Sequence, residues 1–118
     1  MLRVLIIGAA GRMGRALVHA ARERSDVRVV AGVESPGSAH VGEDIGEIAG
    51  VGTLGVLIGS DLSTALTDCD AAVDFSHSSA TAANLAACVA AGKPLLIGTT
   101  GFPADVHHEL ERTGAPSP

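Results

Sequence analysis

The sequence predicts an α/β fold, a doubly wound parallel sheet of five strands in the order 3-2-1-4-5, in a single domain. Three observations carry the prediction. Short apolar runs alternate with segments of helical spacing along the whole chain. The first run is apolar on both faces, as a strand in the middle of a parallel sheet must be. A glycine-rich turn then joins that run to the first helical segment. Right-handed crossovers between parallel strands give the stated order.

The elements follow in turn. Residues 2–7 are apolar apart from Arg3 and close on Gly8. Residues 12–24 have helical spacing, with Met13, Leu17, Ala20 and Ala21 on one stripe and Arg15, Arg22 and Glu23 elsewhere. Residues 27–33 form the second strand. The stretch 34–52 is polar and glycine-rich, with a short helical turn at 44–49, and 55–58 reads as a weak third strand. Asp61 caps a helix through Leu66, its carboxylate accepting orphan amides. Residues 71–75 are strand four. Residues 78–91 are a helix capped by Ser78, with Leu85, Cys88 and Val89 inward and Gly92 at its end. Strand five is 94–97, and Pro103 opens a last helix towards Arg112. The tail 113–118 stops where another strand is expected. Residues 1–112 are therefore read as the domain, lacking its last strand or strands. Residues 113–118 are read as a tail or the start of a hinge to an absent C-terminal domain.

Composition bounds the function. The chain has 118 residues, 47% of them hydrophobic and 18% charged, with a net charge of −5. This is a core-forming chain rather than a disordered one. The acidic balance argues against a nucleic-acid or anionic-membrane partner, yet leaves room for a nucleotide held by a few donors. Cys69 and Cys88 are too few for a disulfide scaffold and read as two buried thiols. No basic leader with a long apolar segment and no 18-residue apolar span is visible, so a cytoplasmic location is expected. The only aromatics are Phe75 and Phe102.

The chemistry concentrates in three places. Gly8-Ala9-Ala10-Gly11-Arg12-Met13-Gly14 leaves the first strand and opens the first helix. Gly8 permits the tight turn, Gly11 lets a pyrophosphate approach the backbone, and Gly14 lets the helix pack on the strand. Negative charge would then rest on the amides of the helix N-terminus. Twenty residues after Gly14, Glu34 ends the second strand, where an acid accepts hydrogen bonds from adenosine ribose hydroxyls. Together these features favour a dinucleotide in a Rossmann-like domain. Ser35 and Pro36 follow Glu34, with no Arg or Lys to meet a 2′-phosphate, so NADH should bind at least as well as NADPH. Arg12 and His77 remain within reach of that phosphate. Asp74-Phe75-Ser76 and Gly98-Thr99-Thr100-Gly101-Phe102 end strands four and five, outside whose carboxyl ends ligands bind. Their phenylalanines either line that cleft or fill gaps in the core. Asp74 is expected to accept backbone or hydroxyl hydrogen bonds at the cleft and not to act as a general base. No metal-ligand spacing, Walker A loop or G-x-S-x-G elbow occurs.

In order and spacing, these three motifs resemble the cofactor domain of the 4-hydroxy-tetrahydrodipicolinate reductase (dihydrodipicolinate reductase) family of lysine and diaminopimelate biosynthesis. The resemblance runs from Leu2 to about Arg112, and Gly98-Thr-Thr-Gly-Phe102 is its most discriminating part. It implies NADH or NADPH as cofactor. Gly8, Ala9, Ala10, Gly11, Arg12 and Met13 would lie on the pyrophosphate and adenosine side, and Glu34 on the ribose. Phe75 would line the cleft, and Gly98, Thr99 and Thr100 would face the nicotinamide. Ser35 departs from the basic residue many relatives have there, and His77 stands where some have Arg. The family binds its small-molecule substrate through a C-terminal domain with a His-His motif, a lysine and a Ser-Gly-Thr turn. None of these is present here; His107 and His108 read as surface residues. The resemblance therefore implies no catalytic residue in this chain, a fragment inactive alone, and a homo-oligomer for the full-length protein. The alternative reading is a stand-alone module binding NAD(H) or coenzyme A.

Overall fold

The computed structural model describes residues 1–98. Strands β1 (Leu2–Ile7), β2 (Val27–Val33), β3 (Ile58–Gly59), β4 (Ala71–Asp74) and β5 (Leu95–Ile97) form one sheet in the order β3-β2-β1-β4-β5. All its pairings are parallel. β1 is central because it can afford no polar face: Val4, Leu5, Ile6 and Ile7 are all buried. Arg3 interrupts the apolar run without entering the core. Its amide donates to Asp70 Oδ2 at 2.8 Å, and its carbonyl accepts from the Asp70 amide at 2.8 Å, which fastens the start of β4 to β1.

Successive β1 residues point to opposite faces, and each face has its own core. Val4 and Ile6 pack under helices α1 (Arg12–Arg22) and α2 (Ile45–Ala49), with Val18, Ala21, Ile45 and Ala49. Leu5 and Ile7 pack on the opposite side against Leu66, Leu85 and Cys88, the side of helices α3 (Leu62–Ala65) and α4 (Thr81–Ala91). Cys69 and Cys88 are buried free thiols, as their sparsity suggested. Burial pushes Cys88 up to about 11. The strand register brings Gly59, Val33, Ile7, Asp74 and Ile97 side by side along the carboxyl rim.

Four local readings are corrected. The buried stripe of α1 is Gly14, Val18 and Ala21, with Leu17 half-buried, whereas Met13 and Ala20 are exposed. Gly14 sets this rotation: a Cβ there would stand 2.6 Å from Gly8 O and 2.7 Å from Ala9 O, so only a glycine can face the turn. On α4 the buried stripe is Thr81, Leu85 and Cys88, and Val89 lies outside it, 48% exposed. His77, not Ser78, caps the entry to that helix. Its ring accepts the Ser79 amide, and a single 3₁₀ turn, Ser78–Ala80, precedes Thr81.

The third strand begins at Ile58 rather than at 55. Asp44 explains the delay. As N-cap of α2, its buried carboxylate accepts from Gly46 and Glu47, and it also accepts from Leu54 at 3.0 Å and Gly55 at 2.8 Å. Ile45 donates to Val56 O. With these groups already spent, 54–57 cannot join the ladder. The cap at Asp61 and the left-handed Gly92 ending α4 are as expected. The helix expected from Pro103 lies outside the described residues.

Two outcomes follow. Gly14→Ala should cost about 2–3 kcal/mol of unfolding free energy in a denaturant titration, because the methyl has only backbone to displace. The amide hydrogen bonds, that from Leu54 foremost, hold Asp44 below the usual carboxylate range. Its contribution is therefore present above the unfolded pKa of about 3.9 and lost as pH falls through the lowered value. Asp44→Ala should reduce Tm at neutral pH, and the gap to wild type should close as the pH falls through that range.

Candidate functional site

The carboxyl rim opens into a cavity of about 730 Å³ between the β1–α1 turn, the end of β2 and the residues leaving β4. The turn is held by sterics. Gly8 has φ +81°, and a Cβ on it would stand 2.9 Å from Phe75 C and Ser76 N. A side chain is thus excluded both by backbone conformation and by the chain crossing it. The Gly8 amide donates to Val33 O at 2.9 Å, which fastens the turn to β2. At Gly11 the situation differs: a Cβ would meet only Gly8 O, at an ordinary 3.5 Å.

Glu34 is half-buried at the rim. Its Oε2 accepts the Ala10 amide at 2.8 Å, so the acid ending β2 is clasped to the glycine turn. The spacing placed Glu34 beside that turn but gave no sign of this bond. On the other side, Asp74 is fully buried and accepts from the Ser76 amide at 2.8 Å and from the Ser76 hydroxyl at 2.5 Å. Asn84 on α4 donates through Nδ2 to Asp74 Oδ2 at 3.1 Å and to Ser76 Oγ at 3.0 Å. Asp74 thus accepts backbone and hydroxyl hydrogen bonds, as its position predicted. Phe75 lines the cavity with its ring edge against Gly98, where an added Cβ would collide with Cδ1 and Cε1.

Of the residues singled out from sequence, Gly8, Ala10, Gly11, Glu34 and Phe75 line one cavity. Ala9 is buried beneath it. Arg12 and Met13 open α1 with exposed side chains outside that lining, and Gly98 ends β5 beside Phe75. Thr99 and Thr100 lie outside the described residues. Sequence reasoning passed over His40, Ser60 and Asn84, which also line the cavity. Asn84 was legible in principle, since it sits one helical turn after the inward Thr81. His40, in a stretch without periodicity, offered no such signal. Among the described residues no lysine or arginine lines the cavity.

An open parallel sheet, a glycine turn between its central strand and first helix, and an acid clasped at the end of the next strand define a Rossmann-type α/β domain. The chain belongs to the family described as "Dihydrodipicolinate reductase, N-terminus", which it matches over residues 2–117. It is 49% identical over 100 residues to the 4-hydroxy-tetrahydrodipicolinate reductase of Saccharophagus degradans, covering 85% of this chain and 37% of that one. To the protein of the same name from Alkalilimnicola ehrlichii it is 50% identical over 100 residues, covering 85% and 38%. The chain therefore spans little more than a third of the length of these curated relatives. Among solved structures, the dipicolinate-bound dihydrodipicolinate reductase of a Paenisporosarcina species shares the fold. Its TM-score is 0.71 at 20% identity, with 96% of this chain and 42% of that one covered.

Proposed function

We propose that this chain is the NAD(P)H-binding part of a reductase that converts 4-hydroxy-tetrahydrodipicolinate to tetrahydrodipicolinate in lysine and diaminopimelate biosynthesis. The observation that carries the reading is the 2.8 Å clasp between Ala10 and Glu34. It presents a carboxylate and the start of a helix to the same cavity, the pairing that suits a ribose diol and a diphosphate. Gly11 adds support. Among the described residues no packing demands a glycine there, which supports a ligand that must come close to its bare backbone.

In this reading Gly8, Ala9, Ala10, Gly11, Arg12 and Met13 lie along the diphosphate and adenosine side, with the amides of Arg12 and Met13 in the first turn of α1 meeting the charge. Glu34 takes the ribose hydroxyls. Phe75 walls the cleft, and Gly98, Thr99 and Thr100 orient the nicotinamide. The cofactor, when bound, supplies the hydride; the protein supplies placement and shields the site from water. Residues 1–112 would then be the dinucleotide domain and 113–118 the approach to a substrate domain, in keeping with the greater length of the relatives. A cytoplasmic, homo-oligomeric full-length enzyme without nucleic-acid or membrane partners fits the net charge of −5. Among the described residues no helix is long and apolar enough to cross a membrane.

The test is a fluorescence titration, for which a chain without Trp or Tyr leaves nicotinamide emission unobscured. NADH should saturate the protein without competition from coenzyme A; the reverse order supports a coenzyme A module instead. Glu34→Ala should weaken NADH binding by about 1–2 kcal/mol, the loss of a hydrogen bond to a charged acceptor. An unchanged Kd would remove Glu34 from the site. The chain alone should bind NADH and show no turnover, and sustained activity would contradict the division between two domains.

A further inference from the structure

Two histidines, His40 and His77, line the same cavity, and the structure holds them in opposite ways. His77 Nδ1 accepts the Ser79 amide at 3.1 Å and lies 2.9 Å from the Ser79 hydroxyl. That cap needs a lone pair on Nδ1, so a proton there would break it; the neutral ring, with its hydrogen on Nε2, is the form that fits. His40 Nδ1 lies 3.1 Å from Glu43 Oε1. An ionised carboxylate only accepts, so this nitrogen donates, and a proton added at Nε2 leaves the bond intact and turns it into an ion pair. Nε2 of His40 has no hydrogen-bond partner among the described residues.

We propose that His40 is the residue by which this chain discriminates NADPH from NADH: as imidazolium it pairs with the 2′-phosphate, and as neutral imidazole it leaves the choice to Glu34. The inference rests on the cavity holding a pyridine dinucleotide with its adenosine ribose at Glu34. Its support is placement. His40 shares the β2 side of the cavity with Glu34, Ser35 and Pro36, where a 2′-substituent would project and where no lysine or arginine lines the wall among the described residues. Glu43 and Glu34 are the ionisable groups on that side. From the connection between β3 and α3 the cavity receives Ser60 and Leu62, both uncharged, and the carboxylate of Asp61 between them is engaged by Thr64. From the β4 side the one histidine, lysine, arginine or carboxylate in the lining among the described residues is His77, whose Nδ1 is engaged by the Ser79 amide. Histidine charge changes in the physiological range, so cofactor preference becomes a function of pH. Neutral or alkaline conditions favour NADH through the repulsion between Glu34 and the phosphate, and mild acid admits NADPH.

The experiment measures Kd for NADH and NADPH by nicotinamide fluorescence at about pH 8 and about pH 6, for wild type, His40→Gln and His40→Arg. The wild-type ratio Kd(NADPH)/Kd(NADH) should fall roughly five- to tenfold on acidification, the scale of one charge-assisted contact. The phosphate's own second ionisation, near pH 6, acts equally on every variant, so it cancels when variants are compared. In His40→Gln the ratio should fall less on acidification than in wild type, and in His40→Arg it should be low at both pH values. A His40→Gln ratio that tracks wild type, or a His40→Arg protein no better at binding NADPH, overturns the assignment while NADH binding stands. If wild type binds neither cofactor at either pH, the functional reading fails and takes this inference with it.

Discussion

The architecture of the rim depends on a backbone crossing that only glycine permits. At Gly8 the chain turns through a left-handed conformation while pressed against the backbone of Phe75 and Ser76. In the same place the Gly8 amide is bound to Val33 O and the Phe75 amide to Ile7 O. The ends of β1, β2 and β4 are therefore locked to one another before any side chain is considered. Ala10 then falls where its amide meets Glu34, and Gly14 falls where α1 must turn a bare face to the turn. A methyl group at position 8 would disturb all of these together, because each is registered against the others.

Much of this was legible in the sequence, for reasons that can be named. β1 and β2 were placed to the residue because they are apolar runs bounded by glycine and by charge, and a central parallel strand tolerates little else. The glycine spacing announced the turn, and the order of the sheet followed from handedness. What escaped were matters decided by single tertiary contacts. The rotation of α1 hinges on the contact of Gly14 with Gly8 O, and the pattern Met13-Leu17-Ala20 is as apolar as the stripe that was buried. Asp44 takes the Gly55 amide and Ile45 the Val56 carbonyl from what looks like strand, since β-propensity cannot see partners about eleven residues away. The cap at His77 exchanges roles with its neighbour Ser78, because a ring nitrogen accepts the amide that a serine hydroxyl was expected to take. Glu34 was placed correctly, but its clasp depends on a side-chain torsion no spacing encodes.

The site is electrostatically economical. In the proposed reading an acidic chain meets phosphate oxygens with main-chain dipoles at the start of α1, and among the described residues no lysine or arginine lines the cavity wall. Such dipoles need little reorientation when a ligand arrives. In that reading the overall charge is free to remain negative.

Both thiols, Cys69 and Cys88, belong to the core beneath α3 and α4, and the core beneath α1 and α2 contains none. The thiols are thus confined to one layer of the molecule. The rate at which a disulfide reagent labels the native protein would report the parting of that layer alone, providing a built-in clock for one half of the domain while the other half stays chemically silent.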